Sequence, residues 1–398
     1  MRVQDHGAAL LAAVERNDGR AVERLLRGGA PLGWRDARGR TPLMAATQAG
    51  HAAIAIRLID AGSDVNARDD VQLTPYLCAG ANGHDAILRA ALAAGADVRS
   101  VNRFGGTALL PASEKGYLRC VQLCLDAGVA VDHVNDLGWS ALLEAVILGD
   151  GGRLYSDVVA TLVAAGADMH LRDPAGHSAQ WHAQALGQSR VVQAFAAIGQ
   201  RADADPFDPV RELIRRDAHA AAFDLLIDTP PPAGDALDLH YYRGHLLSEL
   251  GRIDDAIGEY LDALAIDWRA LEFHVYIARC LRRLGRADDA LREYDAAIAL
   301  QPMAAYARYQ KSNCLRELNR HQQAVTEMDV LLAQQPQRGD YWLHKANSLR
   351  ALGRHQDAIA AIEQALTVDP GRPLYFAHRA QSQACLQPRE PFARALRS

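Results

Sequence analysis

A chain of 398 residues is long for one ordinary hydrophobic core, so it predicts two or three domains or one array of repeats. Its net charge of −5, with Asp and Glu interleaved among the arginines, argues against nucleic acid as a partner. The sequence also lacks an apolar run of the length that crosses a membrane.

The numbers and positions of the cysteines and lysines indicate the cellular compartment and the kind of organism. The six cysteines form no CxxC pair, which favours a reducing compartment over a disulfide framework. Residues 1–19 lack the basic and apolar regions of a signal peptide. Lysine occurs only at positions 115, 311 and 345, a bias that suggests a GC-rich bacterial genome. We therefore expect a bacterial cytoplasmic protein, with secretion by another route as an open alternative.

The first half of the chain is an array of repeats. Each has a hydroxyl residue followed by Pro or Ala, which starts a helix and caps its free N–H groups. These residues recur at equal spacing and then once more after a longer interval: Thr41, Thr74, Thr107, Ser140 and Ser178. An Ala-Gly pair later in each repeat ends a second helix, because glycine adopts the left-handed conformation there. The pattern predicts two short helices per repeat.

This pattern resembles the ankyrin repeat family, which implies stacked helix pairs with projecting turns. We count a degenerate first repeat at about 7–38, four regular repeats from about 39 to 176, and a degenerate last repeat. Apolar residues replace the usual histidine of the family, which predicts apolar packing between repeats: Met44, Leu77, Leu110 and Leu143. The extra residues of the fifth repeat fall within 149–156, where we expect a longer loop between its helices.

Members of this family usually bind partners through the turn tips and the inner helices. In the middle repeats those positions carry an apolar group, which we call the ankyrin face: Val71, Leu73, Phe104, Leu137 and Trp139. An exposed apolar cluster of this kind favours a protein-binding surface. The alternative is that Leu73 and Trp139 pack against neighbouring turns and serve only the fold.

The second half contains another array, whose repeats are slightly longer. A Leu-Gly-Arg turn separates two helices in each repeat and recurs at equal spacing, at Gly251, Gly285, Asn319 (in place of glycine) and Gly353. A proline closes three of the repeats. This resembles the tetratricopeptide repeat (TPR) family and implies four repeats at about 237–270, 271–304, 305–338 and 339–372. We predict an all-α fold, an α-solenoid of ankyrin repeats followed by TPR helix pairs.

The first helices of TPR repeats line a concave groove. The register assigns seven candidate binding residues to it, which we call the TPR groove: Arg279, Arg282, Tyr309, Asn313, Arg316, Asn347 and Arg350. Arginine can hold a carboxylate with two hydrogen bonds, and asparagine can hold a peptide backbone, so an acidic segment or a C-terminus would fit. The alternative is that these arginines pair with acids on adjacent helices.

Catalytic and metal-binding motifs are missing from the sequence. Cys120 and Cys124 lie four apart but lack a second pair of ligands, so we expect buried core cysteines. His182, His240 and His274 have no evident partners. We expect no catalytic residue, no cofactor and no metal.

The predicted domains are 1–202 (ankyrin repeats), 203–236 (junction), 237–372 (four TPR repeats) and 373–398 (capping helix and tail). The junction contains the acidic residues Asp203 and Asp205 and prolines 230–232. Apolar residues over 210–214 and 218–227 predict two short helices within it, which would make it semi-rigid.

These features predict a non-enzymatic adaptor or scaffold that binds one protein partner per array. Two alternatives stay open. One is a secreted effector that mimics host interaction modules, and the other is a regulatory subunit that masks an enzyme.

Overall fold

The structure is a computed structural model that describes residues 3–197, 206–216, 218–228, 236–368, 370 and 373–386. Within these residues the fold is all-α, as predicted, with 23 helices and no strand. The chain divides into two compact units, Met1–Ala204 and Asp205–Ser398. None of the described helices combines the length and hydropathy needed to span a bilayer.

The first unit stacks twelve described helices in pairs. Their bounds are α1 (Val3–Glu15), α2 (Gly19–Arg27), α3 (Pro42–Gln48), α4 (Ala52–Asp60), α5 (Pro75–Asn82), α6 (Asp85–Ala93), α7 (Leu109–Glu114), α8 (Leu118–Asp126), α9 (Ala141–Leu148), α10 (Arg153–Ala164), α11 (Ala179–Ala185) and α12 (Ser189–Ala197).

Hydroxyl caps start four of the first helices, as the sequence predicts. The side chains of Thr41, Thr74, Ser140 and Ser178 each accept a hydrogen bond from a backbone N–H three residues on. Thr107 is the exception, because α7 begins later, after Ala108, and has no side-chain cap. The second helices end as expected, with a positive φ at each Ala-Gly glycine: 92° at Gly62, 85° at Gly95, 80° at Gly128 and 94° at Gly166.

The extra residues of the fifth repeat mostly lengthen a helix, so the expectation of a longer loop is wrong. Helix α10 has 12 residues, against nine in each of α4, α6 and α8. Its first turns bury Leu154, Tyr155 and Val158, and the Tyr155 hydroxyl donates to the Glu114 carbonyl at 2.6 Å. Burying these side chains in a helix stabilises it more than a solvated loop would.

Apolar side chains fill the interior between ankyrin repeats. The four residues that replace the family's histidine are each 1% exposed: Met44, Leu77, Leu110 and Leu143. Cys120 and Cys124 are buried as well, as predicted, and burial raises the pKa of the Cys124 thiol to about 12.

The second unit contains eleven described helices. Their bounds are α13 (Asp208–Arg215), α14 (His219–Asp228), α15 (Ala236–Glu249), α16 (Ile253–Ile266), α17 (Leu271–Arg283), α18 (Ala287–Leu300), α19 (Ala305–Glu317), α20 (His321–Gln334), α21 (Gly339–Ala351), α22 (His355–Val368) and α23 (Pro373–Leu386).

The turns inside the TPR repeats require a left-handed residue. The φ angles are 79° at Gly251, 73° at Gly285 and 74° at Gly353, and Asn319 takes the same conformation at 58°. Asparagine tolerates this region better than most residues do, which explains its place in the third repeat. The expectation from the Leu-Gly-Arg pattern is confirmed.

Helices α13 and α14 pack on the first TPR helix. The Phe207 ring stacks on Tyr242 with centroids 4.9 Å apart, and Arg211 Nε donates to the Tyr242 hydroxyl at 2.7 Å. Ile214 and Leu226 are buried on the apolar side of the pair.

The semi-rigid junction over 203–236 stays a prediction. Residues Asp203 and Asp205 and prolines 230–232, on which it depends, lie outside the described residues.

Close contact between helices α15 and α16 depends on the absence of a side chain at Gly244. A Cβ there would overlap the ring of Tyr260, which is itself 4% exposed. We expect Gly244→Ala to destabilise the second unit by about 1–3 kcal/mol through overpacking, despite the better helix propensity of alanine.

Gly258 supplies the matched control, because it lies in α16 with no atom within 4 Å of a Cβ at that position. Gly258→Ala should stabilise the unit by about 0.5–1 kcal/mol. Urea unfolding followed by circular dichroism measures both changes. Equal gains in the two variants would contradict the packing described for Gly244.

Candidate functional site

Two arginines of the TPR groove, one repeat apart, make the same set of hydrogen bonds. Arg316 Nη1 donates to His344 Nδ1 at 2.7 Å, and Arg350 Nη1 donates to His378 Nδ1 at 3.1 Å. Each also donates to an asparagine three residues earlier in its own helix. These bonds run from Arg316 to Asn313 Oδ1 at 3.3 Å and from Arg350 to Asn347 Oδ1 at 2.7 Å.

The protonation of the two imidazoles follows from these bonds. Guanidinium groups only donate hydrogen bonds, so each Nδ1 must accept and therefore carries no hydrogen. His344 then donates through Nε2 to the hydroxyl of Tyr309, which lies 3.1 Å away. The partners of Arg316 and Arg350 are thus neutral groups.

The charges of these two arginines are not balanced by a carboxylate. Among the described residues neither Arg316 nor Arg350 forms an ion pair, and Arg350 adds only a bond to Gln381 Oε1 at 2.9 Å. Burial lowers the pKa of both guanidinium groups from the ordinary value. The charged forms are therefore partly desolvated and have no ion-pair partner, although nearby Glu317 acts to raise the pKa of Arg316 against the effect of burial.

Arg282, one repeat earlier, differs from them. It forms an ion pair with Glu317, with Nη2 and Oε1 2.5 Å apart. Burial acts to lower the Arg282 pKa, but nearby Tyr294 and Glu317 outweigh it and raise the pKa above its ordinary value. Of these three groove arginines at equivalent places in successive repeats, one is paired with an acid and two are not.

Helix α15, in the first TPR repeat, contains a neutral imidazole, that of His245. Burial, with smaller effects from His219, Arg279 and Arg283, lowers the pKa of His245 to about 3. Arg283 Nη1 donates to Ser248 Oγ at 2.6 Å, and the side chain of Arg279 is half-buried.

A second set of pairs lies within the TPR repeats and corrects the view that His240 and His274 lack partners. His240 Nδ1 lies 2.8 Å from Glu259 Oε2, and His274 Nδ1 lies 2.7 Å from Glu293 Oε2. The equivalent pair in the third repeat is Arg308 with Glu327, at 2.6 Å. The sequence could have predicted these pairs, because the same number of residues separates the two partners of each pair in three successive repeats.

The ankyrin face is less exposed than its sequence suggests. Val71 is 45% exposed, whereas Leu73, Phe104, Leu137 and Trp139 are half-buried. The Arg103 guanidinium lies over the Phe104 ring, 5.0 Å from its centroid.

Asn135 shapes the turn that carries two residues of this face. Its Oδ1 accepts the backbone N–H groups of Leu137 and Trp139 at 2.9 and 3.1 Å. Its Nδ2 donates to Glu144 Oε1 at 2.7 Å, which links the turn to helix α9.

The fold of each unit defines a helical repeat protein, and the family comparisons specify which kind. The ankyrin repeat model, of three copies, matches residues 3–69 and 76–173. The tetratricopeptide repeat model matches residues 275–339, 317–373 and 343–386. The chain therefore carries ankyrin repeats followed by C-terminal TPR repeats, as the sequence predicts. Both kinds of repeat are generally protein–protein interaction modules and are typically not enzymes.

Two solved structures are similar to part of the chain. One is an ankyrin repeat domain from Acinetobacter baumannii AYE, 44% identical with a TM-score of 0.46, covering 48% of this chain and 97% of that one. The other is EF0377, an ankyrin repeat protein, 37% identical with a TM-score of 0.46 and the same coverage of 48% and 97%. No curated protein matches the sequence.

Proposed function

We propose that the chain is a non-enzymatic adaptor that binds one protein partner on its ankyrin face and an acidic peptide segment or C-terminus in its TPR groove. The observation that supports it most strongly is the pair Arg316 and Arg350. Both are partly buried, and both are hydrogen-bonded to neutral groups only. A ligand carboxylate would supply the missing negative charge.

Arg316 keeps the donors that such a ligand needs, whereas Arg350 already donates through both Nη1 and Nη2. Arg316 uses only Nη1 in its bonds to His344 and Asn313, so Nη2 and Nε have no acceptor among the described residues. A guanidinium can present two parallel N–H groups to a carboxylate, and this charge-assisted pair is stronger than a neutral hydrogen bond. His344 and Asn313 hold the guanidinium in place, which reduces the entropy lost on binding.

Asn313 and Asn347 fit the remainder of an extended peptide. Their Oδ1 atoms accept from the arginines, so their amide NH2 groups are left to donate to peptide carbonyls. The two asparagines are one repeat apart and occupy equivalent places in helices α19 and α21. The arrangement favours a ligand that runs across successive repeats.

The ankyrin face supports the second partner of the adaptor. Val71 offers exposed apolar area, and the half-buried Phe104 and Trp139 offer aromatic edges of the kind that contribute most to protein interfaces. The arginine-rich composition and six free cysteines are in keeping with an adaptor in a bacterial cytoplasm.

The groove is tested by removing its unpaired charges. We expect the double variant Arg316→Gln and Arg350→Gln to bind acidic peptides with free C-termini at least about tenfold more weakly, a loss of about 1.4 kcal/mol. Fluorescence anisotropy with a panel of labelled Asp- and Glu-rich peptides measures this. Raising the salt concentration should weaken wild-type binding as well.

The matched control is the double variant Arg320→Gln and Arg354→Gln. These arginines are also one repeat apart, but they lie at the inter-helix turns, where they bond to Gln323 and Asp357. The control should bind like the wild type. Equal binding by the groove variant and the wild type, or no binding of any acidic peptide, would rule out this ligand class.

The ankyrin face is tested by placing a charge on its exposed residue. Val71→Asp should lose a partner that the Arg316→Gln and Arg350→Gln variant retains, because a buried unpaired carboxylate at an interface is costly. Affinity purification with mass spectrometry compares the partner sets. Leu186→Asp is the control, since Leu186 is 46% exposed in the same unit but lies outside the ankyrin face. Identical partner sets for Val71→Asp and the wild type would contradict the assignment.

A further inference from the structure

The last ankyrin repeat brings two imidazoles and a carboxylate together. The side chains are Asp173, His177 and His182, and their ligand atoms all lie within 4.8 Å of one another. His182 Nε2 lies 2.8 Å from Asp173 Oδ2, so the expectation that His182 lacks a partner is wrong. All three residues are of intermediate exposure, and the Asp173 side chain is more enclosed than that of His182, at 8% exposed against 17%.

The preceding repeat shows what these three positions do without the histidines. The equivalent residues of that repeat are Asn135, Trp139 and Glu144. There the Asn135 amide donates to the Glu144 carboxylate at 2.7 Å and links the turn to its helix. The hydrogen bond that ties the turn to its helix therefore forms in the preceding repeat without any histidine and without a carboxylate in the turn. In the last repeat all three positions hold groups that bind transition metals.

The carboxylate of Asp173 is fixed with one oxygen toward the imidazoles. Its Oδ1 accepts the backbone N–H of His177 at 2.9 Å, which leaves Oδ2 facing His182. An aspartate carboxylate is ionised at neutral pH, so the group offers an anionic ligand.

The two imidazole rings are also held in orientation. The His177 ring stacks on Trp181 with centroids 3.6 Å apart and an interplanar angle of 6°. It stands at 90° to the ring of His182, with centroids 5.8 Å apart. Trp181 thus limits the rotation of His177 and keeps its ring beside the other two ligands.

We propose that Asp173, His177 and His182 bind a divalent transition metal ion of the zinc class, with water completing the coordination. Zinc takes nitrogen ligands at about 2.0–2.1 Å and carboxylate oxygen at about 2.0–2.2 Å, so tetrahedral ligand atoms lie about 3.3 Å apart. The three ligand atoms lie within 4.8 Å of one another, so side-chain rotations would be needed to reach that separation. Binding replaces the hydrogen bond between His182 and Asp173, and the hydrogen on the His182 ring moves to Nδ1.

The choice of metal follows from the donor set. Two imidazoles with one carboxylate suit zinc, cobalt or nickel, whereas calcium and magnesium prefer oxygen ligands throughout. The site goes beyond the proposed adaptor function and does not depend on it.

A second His-carboxylate cluster, of His240, Glu259 and Asp262, serves as the comparison. Its His240 and Glu259 pair recurs in the next repeat as His274 and Glu293, so it is explained by the repeat itself. The cluster also offers a single nitrogen ligand, which fits zinc less well than two.

The test uses the full chain after treatment with EDTA. Zinc affinity is measured by competition with a chromogenic chelator, and Co²⁺ provides a visible absorption band that reports nitrogen coordination. We expect one site in the wild type and a loss of affinity of at least about tenfold in His177→Ala and in Asp173→Asn. Asn135 accepts the same kind of backbone bonds in the preceding turn, so Asp173→Asn keeps the turn while removing the anionic ligand.

His240→Ala is the control, and it should bind zinc like the wild type. Circular dichroism checks that each variant is folded, and Asp173→Asn decides the outcome if His177→Ala unfolds. Wild-type zinc affinity no greater than that of both site variants would overturn the proposal. Loss of binding in His240→Ala, with the site variants unaffected, would overturn it as well.

Discussion

Each repeat can bury its apolar side only against the next repeat, and the rest of the structure depends on this constraint. In the TPR repeats, alanines at equivalent positions are fully buried, as at Ala256, Ala290, Ala324 and Ala358. Their small side chains let adjacent helices approach closely, and the Tyr260 and Tyr294 rings fill the remaining space. Because the stacking repeats, residues at the same place in successive repeats face the same side. Arg316 and Arg350 are equivalent for this reason.

The chemistry of the groove comes from positions that stacking leaves free to vary. Arg282 is paired with Glu317, but Arg316 and Arg350 are held by neutral imidazoles and amides. Taking a guanidinium partly out of water without a negative partner costs free energy. A bound carboxylate would recover part of this cost, and on this ground we propose an acidic ligand for the groove.

The sequence predicts the repeats, turns and caps well because these depend on residues close together in the chain. Asn319 and the Ala-Gly glycines take the predicted left-handed conformation, and Thr41 and Thr74 cap their helices. It fails where a contact joins separate helices, as in the bond from Arg316 to His344. The extra residues of the fifth repeat mostly extend helix α10, where the Tyr155 hydroxyl donates to the Glu114 carbonyl. Partner identity is not predictable, since stacking does not constrain groove residues.

The central claim is that Arg316 and Arg350 bind a ligand carboxylate directly. A double-mutant cycle tests it most directly at Arg316, whose Nη2 and Nε have no acceptor among the described residues. The cycle combines Arg316→Gln in the protein with Glu→Gln or Asp→Asn at each acidic position of a bound peptide. The account predicts a coupling free energy of about 1 kcal/mol or more at one position or at the C-terminal carboxylate, tested by amidation. Coupling energies within about 0.5 kcal/mol of zero at every position would show that the arginine does not contact a ligand carboxylate.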